Sequence, residues 1–420
     1  VRYAILDEQG RVREEGEGGL AIDDRAATLQ PLAGTPLVIP HGDVDRLEAA
    51  DYRLALRFHT GETLRLSHVG PVYEQVLDRL AAFRDATLRR DLLLEREPPR
   101  EIFSASVQAS AWGPASPQPS RVLVYRDQVA ILTNAADPVL LPFSSLAAFR
   151  AEPGSYEAAL EDDDGGRAVV RKLGPRFEEF VSTVRGALGD LDRRTGESLG
   201  TLIPGLDPLS LRDLVRLCRD GRAVKESEAS AVGAEVWSRL EQATIREPGL
   251  RESYDALRSI GQPGQAWIGF RPGGEEGGEG RVAANALDEE SPPPLPDASG
   301  TAPESEDRPA FFCWFFVRVG RAVALEVVSE GDHATYLFRV GTDADRDVRA
   351  INRALRYLQF RREPVYAPEE ELESGRLSRF RLAVRRHAPI RLARAAFLGR
   401  ALHTTASAWR KAVDAAVAKA

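Results

Sequence analysis

The chain has 420 residues, a formal net charge of -8, and 43% hydrophobic against 29% charged residues. That length exceeds what one hydrophobic core organises, and that balance excludes a broadly disordered chain. The longest apolar run, Ala310 to Val317, is eight residues, against the roughly 18 to 20 of a membrane-spanning helix, so no transmembrane segment is expected.

From the amino end, Val1 to Asp7 has no cationic stretch leading into a long apolar core, and no secretory signal is expected. With Cys218 and Cys313 the only cysteines, no disulfide framework is expected either, and the sequence predicts a cytoplasmic protein. Residues 1–95 read as short strands. Leu20-Ala21-Ile22 leads to Ala27-Thr28-Leu29, then Pro36 to Pro40, Tyr52 to Phe58 and Gly61 to Leu66. Alternation of Tyr52, Leu54, Leu56 and Phe58 turns one strand face to a core. After Gly70-Pro71 the period changes: Tyr73, Val76, Leu77 and Leu80 share a helical face, with Pro suited to the first turn.

Residues 100–190 repeat the pattern. Leu123-Val124-Tyr125 leads to Val129 to Leu132, Pro138 to Pro142, Tyr156 to Leu160 and Gly166 to Val170. After Gly174-Pro175, Phe177, Phe180, Val181, Val184 and Leu188 recur at helical spacing. The separations agree: Asp24 to Pro40 is 16 and Asp127 to Pro142 is 15, while Pro40 to Gly70 is 30 and Pro142 to Gly174 is 32. A duplicated unit explains this. A curved antiparallel sheet leaves an apolar face that needs a cover, and one amphipathic helix per unit supplies it. The acidic run Glu161 to Asp164 lacks EF-hand spacing and reads as a solvated hairpin tip.

Gly196-Glu197-Ser198-Leu199-Gly200 has the spacing of a nucleophile elbow, but the charged stretch Gly189 to Thr195 before it is no apolar strand, so a helix-terminating loop is expected. Residues 200–262 predict two or three helices, from Leu209, Leu211, Leu214, Val215 and Leu217 and then Val236, Trp237 and Leu240. Residues 265–365 read as a third unit, with strands at Ala266 to Phe270, Ala310 to Arg318, Val323 to Val328 and Ala334 to Val340, and helical spacing at Val348, Ile351, Leu355 and Leu358. An acidic stretch rich in Gly, Glu, Pro and Ser interrupts it at 273–309 and is predicted to be disordered. The aromatic run Phe311 to Phe316 reads as a strand buried on both faces, with Cys313 a small hydrophobe within it.

The order of strand runs, the Pro36 to Pro40 strand leading into Asp43-Val44-Asp45-Arg46-Leu47, and the helix after Gly70-Pro71 resemble the pleckstrin-homology-like (PH-like) fold, from residue 18 to 94 and again from 100 to 190. The chain resembles uncharacterised prokaryotic proteins with tandem PH-like domains. The resemblance implies an α+β protein of tandem PH-like units, each a curved antiparallel sheet capped by a C-terminal helix, with a helical insertion and a basic helical C-terminus added here. It also implies a binding or scaffolding role. The hairpin from Arg11 to Leu29 has no Lys and Arg cluster of the sort that holds inositol phosphates.

Residues 368–420 form a predicted basic helical tail. From Gly375 onward there are eleven basic residues and one acid, a net +10 that leaves -18 on the remainder. Arg376, Arg379, Arg381, Arg385, Arg386, Arg391, Arg394, Arg400, Arg410 and Lys411 are therefore candidates for an anionic partner. Pro389 divides the tail into two helices, and the second carries Ile390, Ala393, Phe397 and Ala401 on one face. Such a helix can lie on an anionic membrane, neutralise nucleic-acid phosphates, or dock on its own chain. Only four of the 56 basic residues are lysine, so the abundance of arginine is weak evidence that its chemistry was selected here.

The histidines His41, His59, His68, His333, His387 and His403 show no metal-ligand spacing. His41 beside Asp43 and Asp45 is the best acid-base cluster, although Pro40-His41-Gly42-Asp43 also reads as a turn. No catalytic, cofactor or metal residue is assigned. The sequence predicts a non-catalytic adaptor for protein or an anionic surface, with nucleic-acid binding through the tail, or a hydrolase with an unrecognised inter-domain site, as alternatives.

Overall fold

Alternation along Arg53-Leu54-Ala55-Leu56 leaves Leu54 and Leu56 buried, and the same period builds a seven-stranded antiparallel sheet. Its strands are β1 (Arg2–Leu6), β2 (Val12–Ile22), β3 (Ala26–Pro31), β4 (Leu37–Pro40), β5 (Val44–Ala50), β6 (Arg53–Phe58) and β7 (Thr63–Ser67), in the order β4-β3-β2-β1-β7-β6-β5. The computed structural model describes residues 1–94, 97–110, 113–134, 136–245, 248–272, 311–327 and 334–420. The stretch 273–309, predicted to be disordered, lies outside the described residues.

Strand β2 pairs with β1 up to Glu17 and with β3 from Gly18 onward. At Gly18 a Cβ would lie 2.4 Å from the Gln30 carbonyl oxygen, so glycine is what lets β2 press against β3 where it changes partners. Pro40 closes β4 and a 3-10 turn, His41–Asp43, follows. After β7 the 3-10 turn Gly70–Val72, with Gly70 at φ 75°, starts helix α1 (Tyr73–Asp91). Tyr73 and Leu80 of α1 join Leu54, Leu56, Leu64 and Leu66 in one core.

The second sheet holds β8 (Glu101–Ser110), β9 (Gln118–Val124), β10 (Gln128–Thr133), β11 (Val139–Pro142), β12 (Leu146–Glu152), β13 (Glu157–Asp162) and β14 (Arg167–Arg171). Its order, β11-β10-β9-β8-β14-β13-β12, is that of the first sheet strand for strand. Pro142 closes β11 ahead of the 3-10 turn Phe143–Ser145, and the turn Gly174–Arg176 opens α2 (Phe177–Leu202). Phe180 of α2 is fully buried and meets Phe103 edge-on at 5.2 Å.

Both sheets belong to one of two units, Val1–Gly189 with Tyr357–Arg391. Within it α1 serves both sheets, because Leu88 packs with Leu123, Ala130 and Leu132 of the second sheet and with Leu382. The same unit contains α8 (Glu363–Tyr366), α9 (Glu369–Glu373) and α10 (Arg381–Arg386).

The other unit, Asp190–Arg356 with Leu392–Ala420, is built on a six-stranded antiparallel sheet in chain order: β15 (Val224–Lys225), β16 (Ala266–Pro272), β17 (Phe311–Val319), β18 (Ala322–Val327), β19 (Ala334–Arg339) and β20 (Phe397–Leu402). Helices α3 (Pro208–Cys218), α4 (Glu226–Val232), α5 (Val236–Thr244), α6 (Pro248–Ile260) and the last helix, α12 (Ala406–Val417), pack on Ile268, Phe315, Val317 and Ala324. Helix α7 (Ala344–Tyr357) engages the alternate residues: Trp314 Nε1 donates to Asn352 Oδ1 at 2.8 Å, and Trp267 Nε1 to Asp345 Oδ1 at 3.1 Å. Trp314, Phe315 and Phe316 are all buried.

Two segments differ from the sequence reading. Helix α11 (Ala388–Ala396) stops before Phe397, and Phe397 to Leu402 pairs with β19 instead of continuing the helical face of Ile390 and Ala393. An open strand edge offers backbone donors and acceptors that a helix cannot satisfy, and that demand overrides local propensity. Gly196 to Gly200 lies inside α2 rather than in a loop, where the Thr195, Ser198 and Thr201 hydroxyls donate to carbonyls four residues back.

Candidate functional site

The segment His41–Asp45 collects arginines from two distant parts of the chain. Arg84, on α1 and almost wholly buried, donates from Nε to the Val44 carbonyl at 3.1 Å, from Nη2 to the Asp45 carbonyl at 2.6 Å and from Nη1 to the Thr133 carbonyl at 3.2 Å. Burial, with the neighbouring charge of Arg386, pulls its pKa down to about 10. Arg386, also buried, pairs with Asp45 at 2.5 Å and lies 3.5 Å from Asp137. Arg381 pairs with Asp43 at 3.1 Å, and Arg385 donates to the Gly42 carbonyl at 3.2 Å. His41 does not join Asp43 and Asp45 in an acid-base cluster: it is buried against Phe83, with Nε2 2.8 Å from the Asp23 carbonyl.

The other candidate arginines are dispersed. Arg376 and Arg379 are exposed, with Arg379 over the ring of Phe380 at 4.8 Å. Arg391 donates to the Arg385 carbonyl, Arg394 is half-buried on α11 and Arg400 lies on β20. Arg410 pairs with Asp414 at 3.0 Å one turn along α12, beside exposed Lys411. The structure brings Arg381, Arg385 and Arg386 together, but onto the protein's own carboxylates and carbonyls.

A second cluster, not foreseen in the sequence, joins four residues of the third sheet and its last helix. His403 Nε2 lies 2.8 Å from Glu326 Oε1 and 3.3 Å from Thr335 Oγ1, Thr335 donates to Glu326, and Trp409 Nε1 donates to Thr335 Oγ1 at 2.6 Å. The His403 and Trp409 rings stack at 5.6 Å. The hydrogen bond to Glu326 raises the His403 pKa. The composition suggests a nucleophilic triad, but Nε2 faces both oxygens, so the ring does not bridge carboxylate and hydroxyl through its two nitrogens, and Thr335 is fully buried. The cluster fastens α12 to β18 and β19.

Other reactive groups are similarly enclosed or simple. Cys218 is buried, which pushes its thiol pKa up and keeps it protonated. Asp162 accepts from the Asp164 and Gly166 amides, forming the hairpin tip expected there. His59 and His68 are exposed, and His333 lies outside the described residues. Among the described residues no group of three or more His, Cys, Asp or Glu side chains is placed to hold a metal, and no helix is long and apolar enough to cross a membrane.

An open groove of about 820 Å³ lies on the first sheet, on the face opposite α1. Ala4, Ala50 and Ala55 are among its lining, with Arg53, Arg65, Glu15, Glu48 and Asp51 around them. Alanines beside long charged residues make the hollow, a pattern visible only once the strand register is known.

No family model matches the chain, and no curated protein matches it. Solved structures match in part. The C-terminal domain of an unknown protein from Leishmania infantum aligns over 25% of this chain and 97% of its own, at 7% identity and TM-score 0.21. The apo structure of the activated truncation of Vav1 aligns over 30% of this chain and 41% of its own, at 12% identity and TM-score 0.22. At these scores neither likeness carries an argument about this chain.

Proposed function

We propose that the protein is a non-catalytic adaptor whose first two sheets, with α1 and α2, are tandem PH-like units that bind a protein segment. The matching strand orders and the helix after each sheet support the PH-like reading. The observation that carries the binding role is the groove on the first sheet, where Glu15, Glu48 and Arg65 stand exposed without a side-chain partner among the described residues, beside the paired Arg2 and Glu17. A cytoplasmic location belongs to the same proposal. Recognition of an anionic surface by the basic segment is less well supported, because Arg381, Arg385, Arg386 and Arg410 already hold partners within the chain.

The test is capture from native extract by the immobilised full chain, alongside gel shift and vesicle flotation. Specific protein partners retained after nuclease treatment, with neither shift nor flotation, are the expected result. A gel shift that weakens steeply with salt would replace the adaptor reading with nucleic-acid binding.

A further inference from the structure

The floor of the groove carries a row of residues that crosses five strands. Arg65 on β7 lies opposite Ala4 on β1 and Ala55 on β6; Ala4 lies opposite Glu15 on β2, and Ala55 opposite Glu48 on β5. The row therefore reads acid, alanine, arginine, alanine, acid. Arg65, Glu15 and Glu48 are exposed and have no side-chain partner among the described residues. Strands are about 4.8 Å apart, so each acid is about 10 Å from the arginine, too far for the three to neutralise one another well in water.

The second sheet provides an internal comparison. By register, Val169 occupies the place of Arg65, between Gln108 and Ala159. The charges on that face are engaged with each other: Arg171 donates to Glu157 at 2.5 Å and to Gln108 at 3.2 Å, and Arg150 pairs with Glu161 at 2.8 Å. On the first sheet Arg2 pairs with Glu17 at 2.8 Å beside the row, while Glu15, Arg65 and Glu48 stay unpaired.

We infer that this groove binds a helical protein segment that presents an acidic side chain flanked by two basic ones. The inference rests on the adaptor reading and names the chemistry of its partner. Charge complementarity sets the pattern, since an anion over Arg65 requires cations over Glu15 and Glu48. Spacing selects a helix laid across the strands, because seven residues of helix rise about 10.5 Å and return to the same face after two turns. The two flanking carboxylates disfavour a polyanionic lipid surface, which would meet repulsion on both sides of Arg65.

The experiment titrates the full chain with two labelled helical peptides of about 20 alanines and glutamines, read by fluorescence anisotropy. One carries Lys, Glu and Lys at seven-residue intervals, and the other carries Glu, Lys and Glu. The first should bind roughly tenfold more tightly, and the variant Glu15→Lys, Arg65→Glu, Glu48→Lys should reverse the preference. Arg171→Glu, on the second sheet, should leave it unchanged. Equal binding of both peptides, binding of neither, or a preference that survives the triple reversal would overturn the inference. Flotation with phosphatidylserine vesicles that is lost in Arg65→Glu would also overturn it, assigning the groove to a membrane. Partners captured from extract equally by wild type and triple variant would remove the groove while leaving the adaptor reading intact.

Discussion

Tyr156 meets Phe177 edge to face, with ring centroids 5.5 Å apart, where the hairpin between β12 and β13 touches the first residue of α2. Tyr52 meets Tyr73 in the same way at 5.4 Å, at the equivalent hairpin of the first sheet. Both hairpin tyrosines have left-handed backbone, φ 52° for Tyr156 and 57° for Tyr52. A bulky side chain at such a position is strained by about 1–2 kcal/mol, and the edge contact returns about 0.5–1.5 kcal/mol. Tyr156 is 60% exposed, so area burial adds little and the ring contact is what favours the residue. Tyr156→Ala, which keeps the strain and removes the ring, should destabilise by about 1 kcal/mol, whereas Tyr156→Gly should be the more stable of the two by about 1 kcal/mol. Urea denaturation of both variants checks this, and Ala outperforming Gly would contradict it.

Arg84 should be among the most sensitive positions in the first unit. Its guanidinium spans from the start of β5 to the end of β10 and satisfies three carbonyls, while the Leu47 amide donates to the Asn134 carbonyl nearby. Replacing it with Met takes this donor from the Asp45 and Thr133 carbonyls and leaves Val44 only its bond from Arg386, and should cost about 3 kcal/mol or more. Arg386 also donates to the Val44 carbonyl and lies close enough to repel Arg84. Each single variant relieves that repulsion and leaves Val44 one donor, so the double variant Arg84→Met, Arg386→Met should cost more than the sum of the singles, by about 0.5–3 kcal/mol. Strict additivity in a denaturant cycle would show that the two side chains act independently.

What was legible in the sequence is what local chemistry fixes. Pro40 and Pro142 have no amide hydrogen to continue a ladder, and Gly70 and Gly174 take φ values of 75° and 58° that start the helices after them. What was not legible depends on partners far away in the chain. Phe397 to Leu402 becomes a strand because β19 has an edge to cover, and Arg386 is buried because Asp45, 341 residues earlier, sits where the chain returns. Without those partners the same residues read as an amphipathic basic helix. The groove was hidden for a related reason: Glu15, Arg65 and Glu48 form a row only through the register of five strands.

His387 should make the protein sensitive to acid. It is buried, stacked on Tyr357 at 4.7 Å, while the Tyr357 hydroxyl donates to the Leu140 carbonyl at 3.1 Å. Burial, aided by the charge of Arg391, lowers its pKa from 6.5 to about 3. The folded protein thus holds a neutral ring, while the unfolded chain takes up a proton once pH falls below about 6.5. Stability from this site is present above that pH and is lost progressively as pH falls toward about 3. His387→Phe keeps the stack and removes the titration, so its loss of stability between neutral and mildly acidic pH should be smaller than that of wild type. Parallel denaturation curves at the two pH values would show instead that His387 is protonated in the fold.

His403 should act in the opposite sense, on the last helix. Its partners are Glu326 from β18, Thr335 from β19 and Trp409 from α12, and the bond to Glu326 raises its pKa above the ordinary 6.5. A raised pKa means that the folded state binds the proton more tightly than the unfolded chain. The stabilisation is therefore complete below about 6.5 and disappears as pH rises through the folded value. Deprotonation leaves Glu326, buried at 4% exposure, without a cationic partner, and a buried carboxylate in that state is costly. Amide exchange over Ala406–Val417, corrected for the intrinsic pH dependence, should show protection declining with rising pH in wild type. His403→Gln keeps a donor for Glu326 but carries no charge, so its protection should be lower at acidic pH and flat across the range. A wild-type profile as flat as that of the Gln variant would mean that α12 is held by Trp409, Val413 and Ala416 in the apolar core alone.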